Sequence, residues 1–109
     1  MTPGAGLDEA FRTVTRLRIA AFLSACDESD FRAVQEYCGL SPSLLSKNVT
    51  FLAEQGYAEV RKGHVGKVPR TWLRLTQRGR TALAHHLTAL QEIADAAAGQ
   101  GRALGKDRD

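Results

Sequence analysis

The chain predicts a mostly α fold with a small β-hairpin, and three observations carry that prediction. Two short helical stretches are separated by a tight turn around Gly39, and the second has a polar outer face. After Gly56 the apolar spacing changes from helical to alternating, around a glycine-containing basic segment. From Gln77 a long helical pattern returns, its apolar residues stepping alternately by four and three.

The composition suits one soluble globular domain: 109 residues, 43% hydrophobic and 25% charged. No apolar run approaches the roughly 20 residues needed to span a membrane, and the N-terminus lacks the basic segment and apolar core of a secretory signal. A reducing cytoplasm suits Cys26 and Cys38, which lack zinc-ligand spacing and read as small buried hydrophobes, with a thiol sensor as the alternative.

Residues 1–6 read as a flexible N-terminus, and the folded domain as residues 7–98. Leu7, Phe11 and Val14 mark a first helical stripe. Leu17, Ile19, Ala20, Phe22 and Leu23 follow as the most apolar stretch. Thr13 or Thr15 breaks or caps the join, so one bent helix or two short ones are expected. Residues 26–29 read as a loop. Asp30 is placed to cap a helix over residues 31–37, with Phe31, Val34 and Cys38 inward and Gly39 as its stop. Ser41 then caps a helix whose first position is Pro42, where the missing N–H costs nothing. This helix runs to about Gln55 and ends at Gly56. Leu45, Val49, Leu52 and Ala53 form its buried stripe, leaving Ser43, Ser46, Lys47 and Thr50 outside. Two short helices joined this way make a helix-turn-helix.

Beyond Gly56, Ala58 and Val60 alternate with Glu59 and Arg61, and Thr71, Leu73 and Leu75 with Trp72 and Arg74. Residues 62–70 between them, with two glycines, Pro69 and three cations, read as a mobile basic hairpin tip. Thr76 caps the final helix, residues 76–98, and residues 99–109 read as a disordered tail. Leu83, Leu87, Leu90, Ala94 and Ala97 form a helix–helix seam. The first helix, through Leu7 and Phe11, and this last one are expected to build a dimer interface while also packing within the chain.

Charge is unevenly placed. The net charge is +3, but residues 41–80 hold eight basic and two acidic groups, while the segments on either side are slightly acidic. That concentration, beginning at the polar helix, points to a polyanion partner. Short hydrogen-bonding side chains with one cation suit a helix that approaches base edges and phosphates. His64, His85 and His86 invite a metal reading. Adjacent histidines on a helix point about 100° apart, and no Cys or carboxylate cluster accompanies them, so neither metal nor cofactor is expected. No nucleophile–base set or phosphate loop suggests an enzyme.

The ordered set of residues 15–19, Leu40-Ser41, Leu45-Ser46-Lys47, Leu52, Gly56-Tyr57, residues 70–72 and residues 75–80 resembles winged helix-turn-helix regulators of the broad MarR/ArsR superfamily. More narrowly, it is similar to the small single-domain regulators described as winged helix DNA-binding domain proteins. The resemblance runs from about Leu7 to Ile93. It implies a homodimeric transcription factor on double-stranded DNA, reading a pseudo-palindromic operator, with any small-molecule effector held in the dimer crevice. By position, Ser43, Ser46, Lys47 and Thr50 would face the groove and Lys62, His64, Lys67 and Arg70 would serve the wing. Arg78 and Arg80 would reach phosphates, unless Arg80 lies against the domain. Leu44 and Phe51 depart from the usual polar pattern. They leave open a thymine contact, packing on the neighbouring helix, or an alternative function as a protein–protein interaction module.

Overall fold

The computed structural model describes residues 2–105. The expected flexible lead makes two turns, closed by Ala5 N–H to the Thr2 carbonyl and Leu7 N–H to that of Gly4, and Gly4 lies against Ile93. Asp8 then caps a 3-10 turn, Glu9–Phe11, accepting from Ala10 N–H at 2.8 Å. Thr13 caps α1 (Val14–Ser24), accepting from Arg16 N–H at 3.3 Å. The two-element alternative is therefore the one realised, with Thr13 at the join. Phe11 turns into the core at 1% exposure, while Leu7 and Val14 stay outside.

One element has no counterpart in the sequence reading. Ser29–Asp30 forms β1, pairing antiparallel with the hairpin through Ser29↔Leu73 and Asp30↔Trp72. Asp30 also caps α2 (Phe31–Cys38), accepting from Arg32 N–H. Ser41 caps α3 (Pro42–Glu54), accepting from Leu44 N–H at 3.2 Å, and Gly56 stops the chain at φ 78°. Leu45, Val49 and Leu52 are buried as expected. Asn48 is buried too, and its amide donates to the Leu44 carbonyl at 2.9 Å, which satisfies it inside the helix.

β2 (Ala58–Val65) and β3 (Val68–Leu75) pair along their whole length, so the loop at the tip shrinks to Gly66 and Lys67. The ladder places Pro69 opposite His64, one step from the turn pair Val65↔Val68. In an alternating antiparallel ladder that is a non-hydrogen-bonded position, where proline loses nothing. The sheet order is β1-β3-β2.

α4 (Gln77–Gly105) runs past Gly99 into the expected tail; residues 106–109 lie outside the described residues. Its start is tied to the end of α3, because the Thr76 hydroxyl accepts from Gly79 N–H and donates to the Gly56 carbonyl at 2.6 Å. Leu83 and Ala89 are buried, whereas every residue from Leu90 to Leu104 is exposed. The core gathers Phe11, Ile19, Leu23, Val34, Leu45, Leu52, Leu73, Leu75 and Leu83. Among the described residues no helix is long and apolar enough to cross a membrane.

Candidate nucleic-acid interface

α3 presents Ser43, Ser46, Lys47 and Thr50 to solvent, all four exposed. A groove of about 610 Å³ separates it from the hairpin, lined by Ser43, Ser46, Thr50, Lys62 and Thr71 among others. Helix and wing are thus two walls of one channel. Lys62, His64 and Lys67 are exposed along the wing.

The remaining cations are engaged. Arg61 grips Glu28 with two arms, at 3.2 and 2.7 Å, and lies 4.1 Å over the Trp72 ring. Arg74 does the same with Glu59, at 3.2 and 3.1 Å. Arg70 donates through Nη1 to Asp30 at 2.7 Å. Arg80 lies against the domain, donating to the Ser24 and Cys26 carbonyls at the end of α1. Arg78 is exposed, runs beside Gly56 and lies 5.8 Å from the Tyr57 ring. Of the eight basic residues in the middle third, Lys47, Lys62 and Lys67 form no ion pair, aromatic contact or side-chain hydrogen bond among the described residues.

The ion pairs leave a mark on titration. Arg61 holds Glu28 below the ordinary carboxylate range, and Arg32 N–H, with Arg70, does so for Asp30. Both are lower folded than unfolded, so their stabilisation is complete above the ordinary carboxylate range and is lost as pH falls through the lowered values. Glu28→Gln is expected to flatten the acid limb of a stability–pH curve from denaturant titrations. The amplitude is small because the pair stands partly in water. An acid limb identical to the wild type would show that the pair does nothing for stability.

Phe51 packs against the core beneath the Arg16 guanidinium, 4.3 Å from the ring centroid. Arg16 also donates to the Ala10 carbonyl at 2.7 Å, clamping the 3-10 turn onto α3. Of the alternatives for Phe51, packing is the one realised, and Leu44 alone stands exposed, at 43%. Sequence reasoning missed Arg16, Asn48 and the acidic partners. Glu59 opposite Arg74 was legible once the turn was placed at Gly66, whereas nothing in the sequence paired Glu28 with Arg61, or Asp30, placed only as a cap, with Arg70.

The expected dimer residues divide. Phe11 and Leu83 are corrected: at 1% and 3% exposure they belong to the chain's own core, where Phe11 stacks on Tyr57 at 5.5 Å. Leu7, Leu87 and Leu90 remain 41–47% exposed, and Ala94 is exposed with Ile93 beside it. Exposed Tyr37 packs at a tilt against Phe22, 4.7 Å between ring centroids, and Trp72 lies on the sheet under Arg61. A separate cleft of about 390 Å³ opens between the N-terminal segment and the start of α4, lined by Asp8, Tyr57, Arg78, Thr81 and His85 among others. His86 is buried, its Nδ1 accepting from Asp8 N–H at 2.9 Å. Burial pushes the Cys38 thiol up, keeping it protonated.

Two helices and a tight turn, a polar third helix face and a hairpin beside it define a winged helix-turn-helix. Residues 15–94 match the family described as winged helix DNA-binding domain, and the chain belongs to that family. An uncharacterized protein of Methanocaldococcus jannaschii is 24% identical over 83 residues, covering 76% of this chain and 90% of that one. The structure of a transcriptional regulator homologue from Pyrococcus horikoshii superposes with a TM-score of 0.77 at 23% identity, covering 83% and 89% of the two chains. The PcaV transcriptional regulator of Streptomyces coelicolor, in complex with its natural ligand, superposes at 0.64 with 22% identity, covering 93% and 73%. At these identities the structural likeness is one of fold.

Proposed function

We propose that this protein is a transcriptional regulator that binds double-stranded DNA as a homodimer on a pseudo-palindromic operator, repressing by occlusion. The observation that carries this reading is the channel between α3 and the wing, with Ser43, Ser46 and Thr50 on one wall and Lys62 on the other, and with Lys47 and Lys67 exposed on the same two elements; all three lysines are unpaired among the described residues. In such a site phosphate contacts position the protein, while the first residues of the helix read base edges. The polar side chains of α3 are short, so the wing and DNA shape carry a large share of recognition.

The dimer reading rests on Leu87, Leu90 and Ile93, an apolar stripe on α4 beyond the core, with Leu7 beside it. Covering these side chains against a second copy would remove that stripe from water. Leu87→Glu with Leu90→Glu is expected to yield a folded monomer in sedimentation analysis and to abolish preference for a palindromic site. A double variant that still sediments as a dimer would refute this interface. A small effector would sit in the cleft at Asp8, Tyr57 and Arg78, which lies between the N-terminal segment and the start of α4.

Fluorescence-anisotropy titration of random-sequence and promoter-region duplexes over a salt series tests the whole reading. Steep salt dependence and preference for the promoter duplex support it. A folded dimer that binds neither duplex at low salt refutes it.

A further inference from the structure

A second groove adjoins the first, nearer the tip of the wing. It measures about 380 Å³ and lies between the start of α2, the first turn of α3 and β3. Arg32, Gln35 and Arg70 line it, and Phe31, Pro42 and Thr71 line both grooves. The two grooves therefore open side by side at the N-terminus of α3.

Between the two arginines sits Asp30, whose oxygens have separate tasks. Oδ1 accepts from Arg32 N–H at 2.7 Å and caps α2, while Oδ2 accepts from Arg70 Nη1 at 2.7 Å. Arg61 and Arg74 each hold their carboxylate with two arms, but Arg70 uses one. An arginine prefers to meet a carboxylate or phosphate through two parallel N–H bonds. Arg70 is thus the least committed arginine of the sheet, and its pair stands partly in water, with side chains 42% and 26% exposed.

We propose that this groove is a DNA phosphate site, and that Asp30 occupies it as an internal counter-ion which Arg70 exchanges for phosphate on binding. The proposal rests on the DNA-binding reading. The exchange is cheap because a partly exposed ion pair contributes little. It also leaves α2 capped, since Oδ1 keeps its bond to Arg32 N–H. Asp30 thereby weakens binding to all sequences alike, holding non-specific affinity down.

Asp30→Asn in the full chain tests this, because asparagine caps helices as well as aspartate does; Asp30→Ser is the second variant should Asn fold poorly. Binding to a random-sequence duplex is followed over a salt series. Asp30→Asn is expected to tighten binding about threefold, the scale of an exposed ion pair. Arg70→Gln is expected to lower the slope of log affinity against log salt by about 0.9 per protomer. Arg70→Gln should cost more affinity in the Asp30→Asn background than in the wild type. Unchanged or weaker binding by both Asp30 variants, or an unchanged slope in Arg70→Gln, overturns the proposal while wild-type binding still upholds the DNA reading. A wild-type protein that binds no duplex overturns both.

Discussion

Replacing Lys47, Lys62 and Lys67 together by glutamine is expected to weaken binding to any duplex by about 10²-fold or more at roughly 0.1 M salt. The slope of log affinity against log salt should fall by roughly 2.7 per protomer, since each phosphate contact contributes about 0.9. These three lysines, on α3 and the wing, are the cations of the middle third without an intramolecular ion pair, side-chain hydrogen bond or aromatic contact among the described residues. Arg61→Gln and Arg74→Gln are the controls. Both arginines are held in two-armed pairs by Glu28 and Glu59, so their loss should leave the slope close to the wild type. Anisotropy over a salt series reads both quantities. A triple variant with full slope, beside arginine variants that lose it, would mean that phosphates displace Glu28 and Glu59 instead.

Gly79→Ala is expected to destabilise the fold by about 3 kcal/mol, the upper end of ordinary overpacking. A Cβ at Gly79 would lie 2.2 Å from the Tyr57 carbonyl oxygen and 2.9 Å from its carbon, both backbone atoms. The contact cannot relax by rotating a side chain. It also sits where the end of α3 crosses the start of α4, a crossing fastened by Thr76 N–H to the Tyr57 carbonyl at 3.0 Å. The same substitution at Gly99, in the exposed part of the same helix with nothing within 4 Å, should instead stabilise by up to about 1 kcal/mol through helix propensity. Thermal melts of the two variants should move in opposite directions. A Gly79→Ala protein that melts with the wild type would show that the crossing is looser than this packing implies.

Local signals were legible and held. Asp30, Ser41 and Thr76 cap where capping chemistry placed them, because a cap needs only a side-chain oxygen and an N–H two or three residues away. Gly39 and Gly56 end their helices for an equally local reason. The hairpin was legible from alternation, although its tip was expected as a loop where the strands in fact pair to the turn.

Non-local choices were not legible. β1 is two residues long, too short for any period, and it exists because Leu73 and Trp72 offer it a ladder. Phe11 and Leu83 carried the same apolar signal as Leu7 and Leu87. Which of them faced the chain's own core depended on the break at Thr13 and on how α4 leaves the domain.

Composition and spacing were enough to specify the helix-turn-helix, the wing and the concentration of cations in the middle third, since each follows from residues close in the chain. The folded arrangement selected among those cations. Glu28 and Asp30, distant in sequence, sit beside the wing because β1 brings them there; Glu28 holds Arg61 with two arms, and Asp30 holds Arg70 with one. A count of charges is additive along the chain, but the field at a surface depends on which charges fold up next to their opposites. The tertiary structure therefore decided which of the basic residues are left to meet a phosphate.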